Sequence, residues 1–352
     1  MVGSDLVKRR AGLLIAGLAL LGGPGAAVAS GGGGIGLAYG IGGTRGVPKI
    51  VIANANGGHR RTLGAGGVPA VAPNGGAVAF GTENGDAAVD LYSAAGRLIG
   101  KYFNGKRLEA GQITWSNDSR YIAVGLTDVD ATTTVGQSGL AIIDTSTGTV
   151  TTIARGEVEG ITWAPTSDVL VFGLVKSADQ LGPSNLYVAT ATGGPVRPLT
   201  TDNRSLDPVF GALGIAYVKF RSRGKDKAPA YQIWLMYGTR STQITHTKPG
   251  PLVDGLVPIA VSANGQRLIA GFVGEDTDDA YTVDLKTRAA HKLRVGKKIV
   301  TGWGISSNGE RVLVDVGGFE NDNSAGEVES LPFGGGQPRI LVRHGDYPSW
   351  PQ

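Results

Sequence analysis

The chain has 352 residues, 58 of them glycine, no cysteine, 7% aromatic residues and a formal net charge of +4. Without cysteine there can be no disulfide, no thiol nucleophile and no cysteine-held zinc. The small net charge argues against a surface built to grip a phosphate backbone, so nucleic acid is not an expected partner.

Residues 1–29 read as a signal peptide. Lys8, Arg9 and Arg10 form a basic start, Ala11 to Leu21 an apolar run of eleven residues, and Ala27-Val28-Ala29 a small-x-small cleavage site. Eleven apolar residues are too few to cross a bilayer core. The expectation is therefore an exported protein, extracellular, periplasmic or held at the cell envelope, with no membrane span after cleavage. No cysteine follows the apolar run, which rules out a bacterial lipoprotein anchor. Asp5 offsets one of the three basic residues, so the mature chain is left at +2, only weakly basic.

Residues 30–34 form a glycine-rich linker. From residue 35 to 352 the sequence reads as a single all-β domain built on two alternating units. The first is Ile113-Thr-Trp-Ser-Asn-Asp-Ser-Arg-Tyr-Ile-Ala-Val124. It alternates as a strand does, breaks at a run of short polar turn residues, and resumes with aromatic and β-branched residues. Its relatives start near Val71, Trp163, Phe210, Val261 and Ile305, and a truncated copy, Tyr347-Pro-Ser-Trp350, stands at the C-terminus. Equivalent positions recur every 44–51 residues, the period of a propeller blade. The second unit, a strand and return strand around a glycine turn, includes Ile50–Ala53, Val89–Gly96, Leu140–Gly148, Asn185–Gly193, Gln232–Met236, Ala280–Arg288 and Glu327–Leu331.

Two hairpins make one four-stranded antiparallel blade. Seven blades are expected, with Tyr347–Trp350 joining the strands of residues 35–63 so that no sheet edge is left free. Six blades, with the first residues outside the ring, is the alternative.

Trp163-Ala164-Pro165, Pro73-Asn74-Gly75 and Tyr187-Val188-Ala189 are the segments in which the chain most resembles the propeller repeats of the TolB family, and more loosely WD-repeat propellers. The resemblance covers about residues 35–352. TolB-type proteins place an α/β domain ahead of a propeller, bind a lipoprotein partner and serve envelope translocation. Only about 35 residues precede the repeats here, so the resemblance is to the propeller part alone. It implies a binding or scaffold module, acting as a monomer, for a protein partner in the cell envelope.

Antiparallel connectivity sorts the loops. Short glycine turns emerge on one face. Long individual connections emerge on the other, including 125–139, 173–184, 221–231, 274–279 and 317–326. Function tends to sit on irregular loops over a rigid frame, so the second face is the candidate binding face. It carries a basic tip, Arg221, Arg223, Lys225 and Lys227, and an acidic tip, Glu275, Asp276, Asp278 and Asp279, with Glu320 and Asp322 nearby. The acidic tip lacks the calcium-loop pattern, so no metal is expected there. Trp303 stands two residues before its repeat position and is a candidate for the central channel.

No catalytic residue and no cofactor site is expected. His59, His246, His291 and His344 form no metal-binding pair, and there is no nucleophile elbow or phosphate loop. Asp207 and Asp254 are the only carboxylates that the spacing places near inner strands, and both read as turn or capping residues. The rival reading is a propeller enzyme, a lyase or glycosidase acting at the channel mouth, for which paired carboxylates or histidines there would speak.

Overall fold

The computed structural model describes residues 34–42, 47–82, 88–104, 108–128, 138–175, 183–221, 230–247, 254–274, 277–317 and 326–351. Residues 1–33, where the signal peptide and most of the linker are expected, and most of the long connections lie outside them. Among the described residues all regular structure is β, in twenty-eight strands.

The first three strands are β1 (Leu37–Ile41), β2 (Lys49–Ala53) and β3 (Arg61–Ala65). The second group is β4 (Ala70–Val71), β5 (Ala77–Thr82), β6 (Ala88–Ser93) and β7 (Leu98–Tyr102). The third is β8 (Leu108–Trp115), β9 (Tyr121–Asp128), β10 (Gly139–Asp144) and β11 (Thr149–Arg155). The fourth is β12 (Glu157–Trp163), β13 (Val169–Val175), β14 (Ser184–Thr190) and β15 (Arg197–Pro198). The fifth is β16 (Ser205–Gly211), β17 (Gly214–Arg221), β18 (Ala230–Tyr237) and β19 (Arg240–Gln243). The sixth is β20 (Asp254–Val261), β21 (Arg267–Gly274), β22 (Thr277–Asp284) and β23 (Ala290–Lys292). The seventh is β24 (Val300–Ile305), β25 (Arg311–Val316), β26 (Glu327–Pro332) and β27 (Arg339–Arg343), followed by β28 (Asp346–Ser349).

Each group pairs in sequence order as an antiparallel blade. The fifth and sixth are continuous, because Ala230 and Tyr231 of β18 bridge in parallel to Asp254 and Gly255 of β20. Strand β28 pairs with β1, Ala38 opposite Ser349 and Gly40 opposite Asp346, so blade 1 has the order β28-β1-β2-β3.

The core is not one mass. Seven apolar clusters lie one between each neighbouring pair of blades. The pairs include blades 7 and 1, through Leu313, Val328 and Tyr39, and blades 1 and 2, through Ala38, Val71 and Val78. This follows from the pattern: middle strands such as Val169–Val175 are apolar on both faces, and each face needs a neighbouring blade.

Two repeated devices set the geometry. In the turns after β8, β20 and β24, Ser116, Ser262 and Ser306 bond to the side chains of Asp118, Asn264 and Asn308, while their hydroxyls also accept from Tyr121, Arg267 and Arg311 amides. These polar side chains seal one face of the ring with uniform turns. Between blades, the indole of Trp115 donates to the Ala70 carbonyl at 2.9 Å, and that of Trp163 to the Thr114 carbonyl at 3.3 Å. Each tryptophan of this kind therefore ties its inner strand to the inner strand of the preceding blade. Trp350 occupies the same repeat position but differs: it is half-buried, and its indole nitrogen is buried without a hydrogen-bond partner. It nevertheless packs, partly buried, against the apolar cluster between blades 7 and 1.

Candidate functional site

The inner strands β4, β8, β12, β16, β20, β24 and β28 line the propeller axis. Six of them are bulged against the neighbouring strand: β8 after Ala110, β12 after Glu159, β16 after Leu206, β20 after Pro258, β24 after Gly302, and β28 between Asp346 and Ser349. A bulge leaves one or two residues unpaired and re-aims their side chains. In β12 the extra residue is Gly160, at φ 73°, and a Cβ there would stand 2.5 Å from the Cα of Asp207. Only glycine lets the two bulges come this close. In β16 the extra residues are Asp207, at φ 47°, and Pro208.

This juxtaposition brings Glu159 and Asp207 within electrostatic reach. Burial, then the charge of Glu159, pushes the Asp207 carboxyl up to about 7. Burial, then Glu157, raises Glu159 as well. Tyr231, at the start of β18, is raised by burial and then by Asp207 and Glu159. Both carboxyl side chains keep a solvent-touching fraction although protein surrounds them closely, which is the environment of a narrow channel wall. Asp207 is thus an inner-strand residue on a strained bulge, not the turn or cap that its sequence context suggests. Asp254 opens β20, and its side chain lies outside the description.

A second pair lies on the same rim. Asp315, opposite Thr301 of β24, and Asp346, the first residue of β28, both face Gly326. The Gly326 amide donates to Asp346 at 2.8 Å, and one oxygen of Asp315 is buried without a hydrogen-bond partner. Burial, then Asp346, pushes Asp315 up to about 7, and burial raises Asp346. Trp303 is the bulge residue of β24. Its ring meets Tyr347 of β28 edge-on, with centroids 5.5 Å apart, and its indole nitrogen is buried without a partner.

The other expected site residues fare differently. Arg221 ends β17 opposite Ala230, and Asp278 pairs with Val273, both through the backbone. The Asp279 carboxylate is ion-paired with Lys292 of the neighbouring strand, so it is occupied within its own blade. Arg223, Lys225, Lys227, Glu275 and Asp276 lie outside the described residues. Glu159, Asp315 and Asp346 were not singled out from sequence. One signal was available, though. The seven inner strands contain six acidic residues (Glu109, Glu157, Glu159, Asp207, Asp254 and Asp346) and no lysine or arginine, in a chain that is net positive.

Chemically, Asp207 and Asp315, each pushed up to about 7, can exchange a proton with a ligand near neutral pH. Among the described residues no group of three or more histidine, aspartate or glutamate side chains could hold a metal ion, and no helix is long and apolar enough to cross a membrane.

No protein-family model and no curated protein matches the sequence. Solved structures do. The β-propeller domain of the Trilobed protease from Pyrococcus furiosus aligns with TM-score 0.61 at 14% identity, over 85% of this chain and 88% of that one. That domain is described as having an open velcro topology, whereas here β28 pairs with β1. TolB from Acinetobacter baumannii aligns with TM-score 0.52 at 15% identity, over 90% of this chain and 66% of TolB. Pyrococcus horikoshii acylaminoacyl peptidase aligns with TM-score 0.61 at 15% identity, over 84% of this chain, which spans about half (48%) of the peptidase. At these identities the likeness is one of fold: the chain is a TolB-like β-propeller.

Proposed function

We propose that this TolB-like propeller is an exported binding module that holds a protein partner of the cell envelope on its long-loop face. The observation that carries the proposal is the inequality of the two faces. One is sealed by repeated Ser/Asn turns, while the other carries every long connection and the charged channel mouth. Uniform turns support a scaffold, and individual loops over a rigid frame support recognition. The basic start, short apolar run and Ala27-Val28-Ala29 site support export. The test is a pull-down from envelope extract with the mature protein, followed by hydrogen-exchange mapping of the captured complex. Protection on the long-loop face is expected; protection confined to the turn face would refute the assignment. N-terminal sequencing of the recovered protein should begin at Ser30, and an intact Met1 on cytosolic material would refute export.

A second reading has one specific observation in its favour. The Glu159–Asp207 pair supplies an acid and a base at the channel mouth, as a propeller glycosidase or lyase requires. If this reading holds, the mature protein releases new reducing or unsaturated ends from envelope glycan, and the E159Q/D207N variant does not.

A further inference from the structure

The outside of the ring has a charge pattern of its own. Each of the seven outer strands, β3, β7, β11, β15, β19, β23 and β27, carries lysine or arginine, and none carries aspartate or glutamate. The bias peaks in blade 6. Residues 286–298 form the turn after β22, strand β23 and the connection to β24. They contain Lys286, Arg288, His291, Lys292, Arg294, Lys297 and Lys298, all exposed, and no acid. The chain is net +4 and this stretch alone is +6, so the rest of the chain sums to −2. A modest net charge thus hides one concentrated basic run. The turn lies on one face of the ring and the connection on the other, so the run crosses the whole outer wall of the blade. Among the described residues three acids bond to it. Asp279 pairs with Lys292, Glu327 holds both Lys298 at 2.9 Å and Arg343 of β27 at 3.3 Å, and Asp284 accepts from the Lys286 and Thr287 amides. Glu275, Asp276 and the side chain of Asp278 lie outside the described residues; they belong to the far end of β22, roughly 20 Å of strand away from Lys286. Lys286, Arg288, Arg294 and Lys297 form no ion pair among the described residues. Beside them β23 pairs with β22 on one side and ends its sheet on the other, which leaves outward backbone N–H and C=O groups open to a further strand.

We infer that the outer wall of blade 6 docks an extended acidic polypeptide segment, which adds to the edge of β23 and sets its carboxylates against Lys286, Arg288, Arg294 and Lys297. Three observations select this occupant. A second copy of the chain is disfavoured, because every outer strand of the ring is basic and free of acids, so two such edges repel each other. Single-stranded nucleic acid is disfavoured, because residues 286–298 contain no aromatic side chain on which a base can stack. A phosphate polymer or an anionic lipid surface meets the cations but leaves the strand edge unused, whereas an acidic polypeptide satisfies both. The surface is separate from the long-loop face, and the inference does not depend on what binds there.

The probe is a twelve-residue peptide of alternating glutamate and threonine, with its lysine–threonine counterpart as control. Binding to the protein is read by fluorescence anisotropy at low salt, where surface charges are least screened. The glutamate peptide should bind at least ten-fold more tightly than the lysine peptide. The K286S/R288N/R294S/K297S variant should lose about ten-fold in affinity for it; asparagine replaces Arg288 because that residue sits at φ 62°. R61S/R155S/R197S/R240S removes the same charge from exposed positions on four other outer strands and should lose less than two-fold. Hydrogen exchange in the complex should slow at the amides of β23. Equal binding of the two peptides, equal losses in the two variants, or protection that leaves out β23 would overturn the inference. If the blade 6 variant does not fold, K286S/R288N takes its place: a loss of about three-fold is expected, and unchanged binding would overturn the inference. Short-chain polyphosphate and phosphatidylglycerol vesicles are run beside the peptide. Either one binding as tightly as the glutamate peptide, with the same loss in the blade 6 variant, would make the surface a phosphate site and overturn the polypeptide assignment; weaker binding of both supports it.

Discussion

The indole ties between inner strands make a graded prediction. Trp115 and Trp163 are 7% and 5% exposed, and each donates to a carbonyl of the preceding blade. Replacing either by phenylalanine keeps a ring in the slot but removes the donor and about two ring carbons' worth of contact. The lost hydrogen bond costs about 1 kcal/mol net, and the lost burial another 1–2 kcal/mol, so each substitution should destabilise by about 2–3 kcal/mol. Trp350 stands at the equivalent position with its N–H buried and unpartnered. There the same replacement removes a desolvation penalty of about 1–3 kcal/mol while losing about 1 kcal/mol of contact from a half-buried ring. The change should fall within about 1 kcal/mol of zero. Urea denaturation of the three variants, followed by far-UV dichroism, reads the difference directly in the midpoints. If W350F is as costly as W163F, then Trp350 has a hydrogen-bond partner, and the distinction drawn between that blade junction and the others is mistaken.

Three further outcomes follow from particular residues. Asp207 holds its proton up to about pH 7 in the folded protein, against an ordinary value of 3.8, so the native state loses stability as pH rises from about 4 through 7. D207N has nothing to titrate. Its melting temperature relative to the parent should therefore climb between pH 4 and pH 8, and a difference that shrinks over that range would contradict the buried-carboxyl assignment. G160A should cost about 2–4 kcal/mol, from a left-handed φ and a methyl placed 2.5 Å from the Asp207 Cα, whereas G148A, at φ 74° with nothing within 4 Å, should cost only about 1 kcal/mol; equal losses by thermal denaturation would remove the packing argument. Charge reversal at Arg221, Arg223 and Lys225 should weaken capture of the partner at low salt while moving stability by no more than about 0.5 kcal/mol, and unaltered capture would exclude that loop from the interface.

The blade was legible because its determinants are local. Alternation, short polar or glycine turns and a period near 45 residues recur from copy to copy, three of them with an Asn-Gly turn, and the turn serines bond to residues only two or five positions away. The carboxylate pairs were not legible. Glu159 and Asp207 are 48 residues apart, and what makes them a pair is a bulge in each of two strands and a glycine that lets those bulges touch. A bulge shifts the in-out alternation by one residue, so counting along β16 misassigns Asp207 to a turn. Asp315 and Asp346 converge only because β28 lies beside blade 7, a contact between segments that no spacing rule links. The charge bias of the inner strands was present in the sequence, but it shows only once those strands are set side by side.

The seven-bladed arrangement and the meeting of Asp315 with Asp346 both require that the last strand sit beside the first. The chain contains no cysteine, so a single introduced pair reports on that placement without interference. Ala38 of β1 and Ser349 of β28 are directly opposite, and antiparallel partners stand about 4.5–5.5 Å apart at Cα, within disulfide reach. In the A38C/S349C variant, air oxidation should consume both thiols, give a faster-migrating band on non-reducing gels and raise the melting temperature reversibly with reductant, since closing a loop of roughly 300 residues is worth about 6 kcal/mol on the chain-entropy account. Two thiols that stay free in the folded, oxidised protein would place β28 elsewhere and contradict the seven-bladed arrangement.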